Sequence, residues 1–582
     1  MLIPKDEIYI SDFNFEYYEL SIPDRDLRER VTKFFNKPVE NARWSKAYKE
    51  GRWDGNICFI RKQKDENGEW HSVIKKGLIE ELYNFCRNFK LKLVSYSSDD
   101  DNFCLTKVVN KPKIKKIIDD LGIQKNIGSD IRDFQYNCIY DLIKFNSLSI
   151  EAVPASGKSL MIYIATMLMF NVKKFKTLII VPNMALCEQL YNDFKVYSGN
   201  SDFIDNMVQI INSDYKEKEV IKPIVISTWQ SFQKKIDQLE WVDFMIADES
   251  DLSKNKDGRY YQIISNCVNR KYSMALTGTF PNRRFAAYYE FIGNTGIHRI
   301  YTTEKMLEER GQITKVSIEV LKINHTADDR NIYFQEMKKE LEVGDYIQIR
   351  NKDFFKLNYN EENIKPFIDI VGKEIQITNI KDNIYYHNNI KIPKKIVVEE
   401  TEYLKELRLV AKNERRKKFI VDRLNKETKN TLVIFSKKSK EGYILLEYLK
   451  QNLNSNKILY YIDGDTKDKD SVLNLVRNDK TGNIVLLASV QVLGRGVTIK
   501  NLNSCYFITS IKSQAVIRQV IGRIARLSED KDIAYLYDFV DNFISSQSNF
   551  NFINNSVNSF IEREKIYKER GYEINKHEID LV

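Results

Sequence analysis

The sequence predicts an α/β protein with two tandem parallel-sheet blocks, and three observations predict it. Short, almost wholly apolar runs recur through residues 130–310 (LSIEAV, KTLIIVP, KPIVIST, DFMIAD, SMALT), each followed by a stretch of helical period. A strand buried on both faces reads as such a run, and strand–helix alternation is the pattern of a helix-covered parallel sheet. A second set fills residues 400–540 (TLVIFS, ILYYIDG, NIVLLAS, SCYFIT, AYLYDF), so the architecture is repeated. Finally, the first of these strands runs straight into EAVPASGKS and then a helical segment, the layout of a phosphate-binding loop.

Taken in order, residues 1–108 form an N-terminal α/β domain. Its short apolar strands alternate with one amphipathic helix near LIEELYNFCRNF. Residues 109–310 make the first parallel block; residues 311–337 and 401–545 make the second. Between the two parts of the second block, residues 338–400 switch to strand-and-turn alternation (VGDYIQIRN, GKEIQITNIKDNIYYHNN, KIPKKIVVEE), which suggests a small antiparallel, SH3-like barrel. That insert serves either to guide duplex or a partner protein or as a spacer. Residues 546–582 read as a charged helical extension, with FIEREKIYKER its best-defined helix.

Composition narrows the class. Apolar residues make up 43% and charged residues 30% of 582, a globular balance. The seven cysteines are scattered without a C-x-x-C pair, and the five histidines show no H-E-x-x-H spacing. We therefore expect reduced thiols and no protein-held transition metal. The N-terminus lacks a signal-peptide pattern and the apolar runs are too short to span a bilayer, which reads as cytoplasmic, without a membrane partner. Lys and Arg exceed Asp and Glu by ten, which fits a polyanionic partner without requiring one.

In EAVPASGKS, Ala155, Ser156 and Gly157 turn backbone N–H groups inward at a helix N-terminus, where anions are favoured. Lys158 reaches the β- and γ-phosphates and Ser159 offers a hydroxyl to Mg2+. Ala152 stands where the motif's leading glycine is expected, so alone the loop also fits a plain strand–turn–helix connection. FMIADESD supplies what hydrolysis needs further: Asp248 to hold Mg2+ and Glu249 to orient the attacking water.

With these residues on the page, the chain resembles the superfamily 2 helicases and translocases, most closely the phage UvsW-type family, over most of its length apart from residues 338–400. The resemblance implies two RecA-like motor domains and ATP as the nucleotide, with Arg132 and Gln135 of IRDFQYNCI reading adenine. It implies nucleic-acid backbone contacts from Pro182 and Asn183, from Thr228, Gln230 and Ser231, and from Ser436, Lys437 and Thr498. It implies that Thr277 and Thr279 of MALTGTFP couple hydrolysis to strand movement, and that Gly496 of VQVLGRGVTIKNL lies at the nucleotide. In QVIGRIAR it implies catalytic roles for Gln519, Arg523 and Arg526, with Gly522 between them. An arginine supplied to the transferring phosphate from the second block is worth roughly 10³ to 10⁵ in rate in comparable NTPases.

Two positions depart from the family pattern. Asp251 replaces the histidine of D-E-x-H, which predicts altered coupling. Thr498 replaces an aspartate near the ribose, which leaves sugar selectivity open. In the N-terminal KAYKEGRWDGNICFI, Trp53 either stacks on a base or packs in a small core above an Asp54-Gly55 turn, while Lys46, Lys49, Arg52 and Arg61 are phosphate candidates. The default reading of Arg415, Arg416, Lys417 and Lys418 in NERRKKFIVDR is a solvated helix face. The resulting expectation is an ATP- and Mg2+-dependent DNA helicase or branch-migrating translocase moving 3′ to 5′ on forks, four-way junctions and displaced-strand hybrids, RNA–DNA hybrids among them. The rivals are a double-strand translocase, an RNA helicase tied to transcription, and a binding module with a decayed ATPase.

Overall fold

The computed structural model describes residues 5–96, 107–212, 219–232, 238–250, 259–338, 401–436, 440–493, 501–527, 531–544 and 553–582, together with short stretches of 346–398. These residues form two compact units, residues 1–313 with 518–522 and residues 314–517 with 523–582. None of the described helices is long and apolar enough to cross a membrane.

In the first unit, seven strands lie in the order Val208–Ile211, Ile224–Thr228, Thr177–Val181, Phe244–Ala247, Tyr272–Thr277, Ser147–Glu151 and Ile297–Ile300. Every neighbouring pair is parallel. The five inner strands are the five apolar runs of the sequence. The edge strands Val208–Ile211 and Ile297–Ile300 are short additions that the sequence pattern did not single out. Helix Lys158–Lys173 is buried along the whole stretch Leu160–Met169. It is apolar all round because it lies inside the unit rather than on its surface.

The N-terminal part is a mixed five-stranded sheet ordered Ile60–Lys64, Trp70–Lys75, Tyr17–Ser21, Glu7–Asp12, Lys92–Ser95. It carries two ten-residue helices among the described residues, Ile79–Asn88 and a second, Arg25–Phe34, where the sequence suggested only the first. The second has few apolar positions, but Leu27 and Val31 point inward and Asp24 caps its N-terminus through the Leu27 N–H. One continuous buried cluster runs from Ile8 to Ile297, so this domain and the parallel sheet share a core. Charged groups fix the junction. Arg299 meets Glu80 bidentately with both distances at 2.7 Å, and Arg283 meets Glu81 at 2.6 Å. Lys75, only 2% exposed, sits 3.0 Å from Glu16 and hydrogen-bonds Asn294. Gly77 is required there: a Cβ would fall 2.0 Å from the Ile292 carbonyl oxygen.

The second unit repeats the plan with seven parallel strands: Ile458–Ile462, Ile484–Ser489, Thr431–Phe435, Ser504–Phe507, Ile533–Asn542, Lys315–Asn324 and Glu573–Asp580. Helix Asn555–Glu569 occupies the FIEREKIYKER region, but the last segment is a strand rather than more helix. Its side chains are mostly polar because it is an edge strand, paired on one side only to Lys315–Asn324. Within the insert, the described strands make two three-stranded antiparallel sheets, Tyr346–Ile349 with Glu374–Gln376 and Val397–Val398, and Asn379–Lys381 with Ile384–His387 and Ile390–Ile392.

The helix Glu414–Lys426 corrects one sequence reading. Arg416 is 1% exposed and not solvated; it is a buried cation against Asp541 at 2.8 Å that also donates to the Ile508 carbonyl. Lys417 is also buried and pairs with Glu414, whereas Arg415 and Lys418 do face solvent.

Candidate nucleotide site

In an open parallel sheet the strands' carboxyl ends form the ligand-binding edge. Along that edge the loops follow in the order 228–231, 182–183, 248–250, 278–279 and 152–159, as the strand order dictates. Candidate nucleic-acid residues therefore sit at one end of the row and candidate nucleotide residues at the other. Thr277 and Thr279 lie between the two acidic residues and the phosphate loop.

The loop after strand Ser147–Glu151 is held in an unusual backbone conformation. Ala155 has φ 64° and Gly157 φ 80°, both left-handed. For alanine this conformation costs roughly 1–2 kcal/mol, so the surroundings must impose it. They do so from helix Asp133–Phe145. The Arg132 guanidinium donates to the Ala155 carbonyl at 3.0 Å, and the Gln135 amide donates to the Ser156 carbonyl at 3.1 Å. The Gln135 oxygen in turn accepts from the Arg132 N–H at 2.9 Å, satisfying a donor at the helix start. Gln135 is 2% exposed, with its amide nitrogen on the loop and its oxygen on the Arg132 N–H, so its visible task is to shape the turn. Gly157 cannot be replaced freely, because a Cβ would lie 2.5 Å from the Gln135 amide nitrogen.

Lys158 begins helix Lys158–Lys173 and its ammonium pairs with Glu249 at 2.8 Å. Asp248 and Glu249 follow strand Phe244–Ala247, with the Asp248 N–H bonded to the Ile180 carbonyl at 2.9 Å. Glu249 has φ 48°, like Ala155 a left-handed non-glycine residue in the loop after a strand. Ser159 shares a 2.8 Å hydrogen bond with the Tyr197 hydroxyl, a partner the sequence pattern did not flag. Lys158, Ser159, Asp248 and Glu249 thus converge with Ala155, Ser156 and Gly157 on the same sheet edge.

The neighbouring loops are tied to this group. The Ala152 N–H donates to the Thr277 carbonyl at 2.9 Å, and the Thr277 hydroxyl accepts from the Thr279 N–H at 3.1 Å. Ser250, fully buried, donates to the Leu276 carbonyl at 3.0 Å. Sequence reasoning missed Ser250; its signal was its place in Asp248-Glu249-Ser250. Asn183 spends its side-chain oxygen capping helix Met184–Ser198 through the Leu186 N–H, beside the buried Pro182. The Thr228 and Ser231 hydroxyls bond each other at 3.0 Å while Gln230 is exposed.

Gln519, Gly522 and Arg523 lie on helix Gln514–Ile524 and Arg526 just beyond it; Gln519 and Gly522 count with the first unit, Arg523 and Arg526 with the second. Gln519 and Arg523 follow i, i+4 spacing, which sets them on one face of that helix. The Arg526 carbonyl is anchored by Thr314 at 3.2 Å and Lys531 at 3.3 Å. Burial lowers the Lys531 ammonium to about 8. Ser436 is buried, its N–H donating to Glu441 at 3.1 Å. Asp251, Lys437, Gly496 and Thr498 lie outside the described residues. In the N-terminal domain, Trp53 is half-buried and its indole N–H closes a turn onto the Asn56 carbonyl at 2.8 Å; Arg52 is exposed and pairs with Glu50.

Two parallel sheets, one with a strand–loop–helix of the phosphate-loop sequence pattern, mark the class. Residues 132–287 match the DEAD/DEAH box helicase family and residues 412–528 match the helicase conserved C-terminal domain. These two matches give the chain the paired domains of superfamily 2 helicases and support ATP-dependent helicase activity. More particularly, it is similar to the ATP-dependent DNA helicase uvsW of Enterobacteria phage T4, at 22% identity over 548 residues, 92% of this chain and 91% of that protein. The crystal structure of T4 UvsW aligns with 99% of this chain and 100% of its own at 18% identity and a TM-score of 0.42. The fold is also shared with the DNA-bound Type ISP restriction-modification enzyme LlaBIII, at 14% identity and a TM-score of 0.51 over 78% of this chain and 31% of that one.

Proposed function

We propose that this protein is a DNA helicase or translocase acting on branched DNA, meaning forks, four-way junctions and displaced-strand hybrids, in recombination, repair and replication. The observation that carries the motor reading is the Lys158–Glu249 pair at 2.8 Å beside the left-handed phosphate loop. The preference for DNA rests on the similarity to a DNA helicase along nearly the whole chain, N-terminal domain included.

On this reading the loop N–H groups at 155–158 receive the phosphates and Arg132 flanks the adenine. Lys158 leaves Glu249 for the β- and γ-phosphates, which frees the carboxylate to orient the attacking water and take its proton. The Ser159 hydroxyl and the Asp248 carboxylate are hard oxygen donors of the type that suits Mg2+, which when bound neutralises charge on the β- and γ-phosphates. Ser159 must first release Tyr197. Gln519, Arg523 and Arg526 stabilise the charge of phosphoryl transfer, with Gly496 at the nucleotide. Thr277, Thr279 and Asp251 relay the change to the loops holding nucleic acid, where Pro182, Asn183, Thr228, Gln230, Ser231, Ser436, Lys437 and Thr498 grip the backbone. Arg52 and Trp53 are carried on the accessory domain.

ATPase rates with single-stranded, duplex, forked and four-way-junction DNA, and with RNA, across a salt series test this. Branched DNA should stimulate most, with phosphate-dominated affinity falling steeply as salt rises. Stimulation by RNA alone would replace the DNA reading, and no stimulation by any polymer would remove the motor reading.

A further inference from the structure

The sequence points to Trp53 as the aromatic of the N-terminal basic stretch, yet Trp53 is half-buried and its N–H is used within its own turn. A different tryptophan is presented. Trp44, at the end of the short 3₁₀ turn Ala42–Trp44, is 65% exposed. Its indole offers a large flat apolar face with a polar edge, which a planar ligand can cover. Its surroundings specify the chemistry. The Arg43 guanidinium lies 5.2 Å and the Lys49 ammonium 5.6 Å from the ring centroid. Neither cation has a carboxylate partner among the described residues, whereas Lys46 and Arg52 share Glu50.

The patch is built rigidly. Gly55, at φ 82°, lets the Asp54-Gly55 turn pack beneath Tyr48, where a Cβ would sit 3.0 Å from the ring. The Gly55 carbonyl accepts from the Val39 N–H at 2.8 Å. The adjoining hairpin Asn36–Pro38/Asn56–Cys58 leads into groups that meet helix Ala286–Thr295 of the parallel-sheet domain. Lys37 lies 4.5 Å over the Tyr289 ring, and Arg61 reaches Glu290 at 3.3 Å. A second exposed tryptophan, Trp70 at 62%, provides a contrast. It also has a nearby lysine, Lys64 at 5.2 Å, but its hairpin carries Asp65, Glu66 and Glu69, which repel phosphate.

We propose that Trp44, flanked by Arg43 and Lys49, is a base-stacking platform for an unpaired nucleotide, a second nucleic-acid grip mounted on the first motor domain and independent of ATP. A flat exposed ring between cations matches a base between phosphates, the combination that single-strand binders use. In fully paired DNA the bases are already stacked, so the platform favours single strands and the open arms of a fork. The inference rests on the nucleic-acid motor reading above.

Fluorescence anisotropy with a labelled single strand, a fork and a blunt duplex, with and without a non-hydrolysable ATP analogue, tests it on the full chain. Trp44→Ala should weaken single-strand and fork binding by at least about fivefold, equally in both nucleotide conditions, and leave blunt duplex within about twofold. Trp44→Phe should restore most of the loss. Arg43→Ala with Lys49→Ala should flatten the single-strand salt dependence by about 1.4 in log–log slope, roughly 0.7 per phosphate contact. Trp70→Ala should match the parent. Unchanged binding by Trp44→Ala, an equal loss on blunt duplex, or an equal loss from Trp70→Ala would each overturn the platform. If the unmodified chain is stimulated by DNA while Trp44→Ala binds normally, only the platform falls. If the unmodified chain binds no nucleic acid, both readings fall.

Discussion

Glu441→Gln should make the second unit more stable at neutral pH and change it little in acid. Glu441 begins helix Glu441–Asn452 and is 1% exposed. Arg416 lies between two carboxylates, Asp541 at 2.8 Å and Glu441 at 4.0 Å. Burial works against both charges, but at Asp541 the contacts from Arg416 and His325 win and hold the acid below its ordinary value. At Glu441 burial wins over the more distant Arg416, pushing the acid from 4.5 up to about 7.

The sign follows from proton binding. Below 4.5 both folded and unfolded chains hold the Glu441 proton, and its stabilising contribution is fully present. As pH rises to about 7 only the unfolded chain ionises freely, so stability is lost across that window and the loss persists above it. At about 1.4 kcal/mol per pH unit, the interval from 4.5 to about 7 amounts to roughly 3 kcal/mol, most of it falling between pH 5 and pH 8. Glutamine has no proton to lose and can still accept from the Ser436 N–H. All five tryptophans, Trp44, Trp53, Trp70, Trp229 and Trp241, lie in the first unit, so indole fluorescence is blind to this change. Urea-dependent hydrogen exchange of peptides covering Thr431–Phe435 and Ile484–Ser489 reports it. A variant-minus-parent difference that is the same at pH 5 and pH 8 would refute the argument.

Three further outcomes concern the nucleotide site. Lys158→Ala should abolish hydrolysis while leaving DNA affinity within a few-fold, read by phosphate release and anisotropy on one preparation. Glu249→Gln should also stop turnover, yet it removes the carboxylate that holds Lys158 at 2.8 Å, so equilibrium titration with labelled ATP should show several-fold tighter binding; weaker binding would argue that the pair does not compete with phosphate. Gly157→Ala meets both the strain of φ 80° and the Gln135 amide at 2.5 Å. It should raise the KM for ATP at least tenfold, and restoration by a second change, Gln135→Ala, would locate the conflict in that contact.

The inner strands were legible because burial on both faces leaves a run such as TLIIV no room for polar residues. The turn into helix Lys158–Lys173 was legible for a related reason: few residue types other than glycine take the left-handed conformation that Gly157 adopts. Edge positions carry no such signature. Val208–Ile211 and Ile297–Ile300 are interrupted by Gln209 and by His298 and Arg299, and Glu573–Asp580 is paired on one side only, so its sequence reads as a polar tail. Helix Arg25–Phe34 was hidden because two inward residues sufficed to seat it.

Charge and exposure were decided by tertiary structure. NERRKKF reads as a solvated face, and only the placement of Asp541 behind that helix makes Arg416 a buried cation. KAYKEGRWDGN draws attention to Trp53, yet a turn captures that indole while Trp44, less conspicuous in the sequence, is left outside. Local sequence determines strands, turns and phosphate loops because their requirements are met by neighbours in the chain. Which polar group is buried and which aromatic ring stays in water depends on residues up to hundreds of positions away, and only the folded structure brings those together.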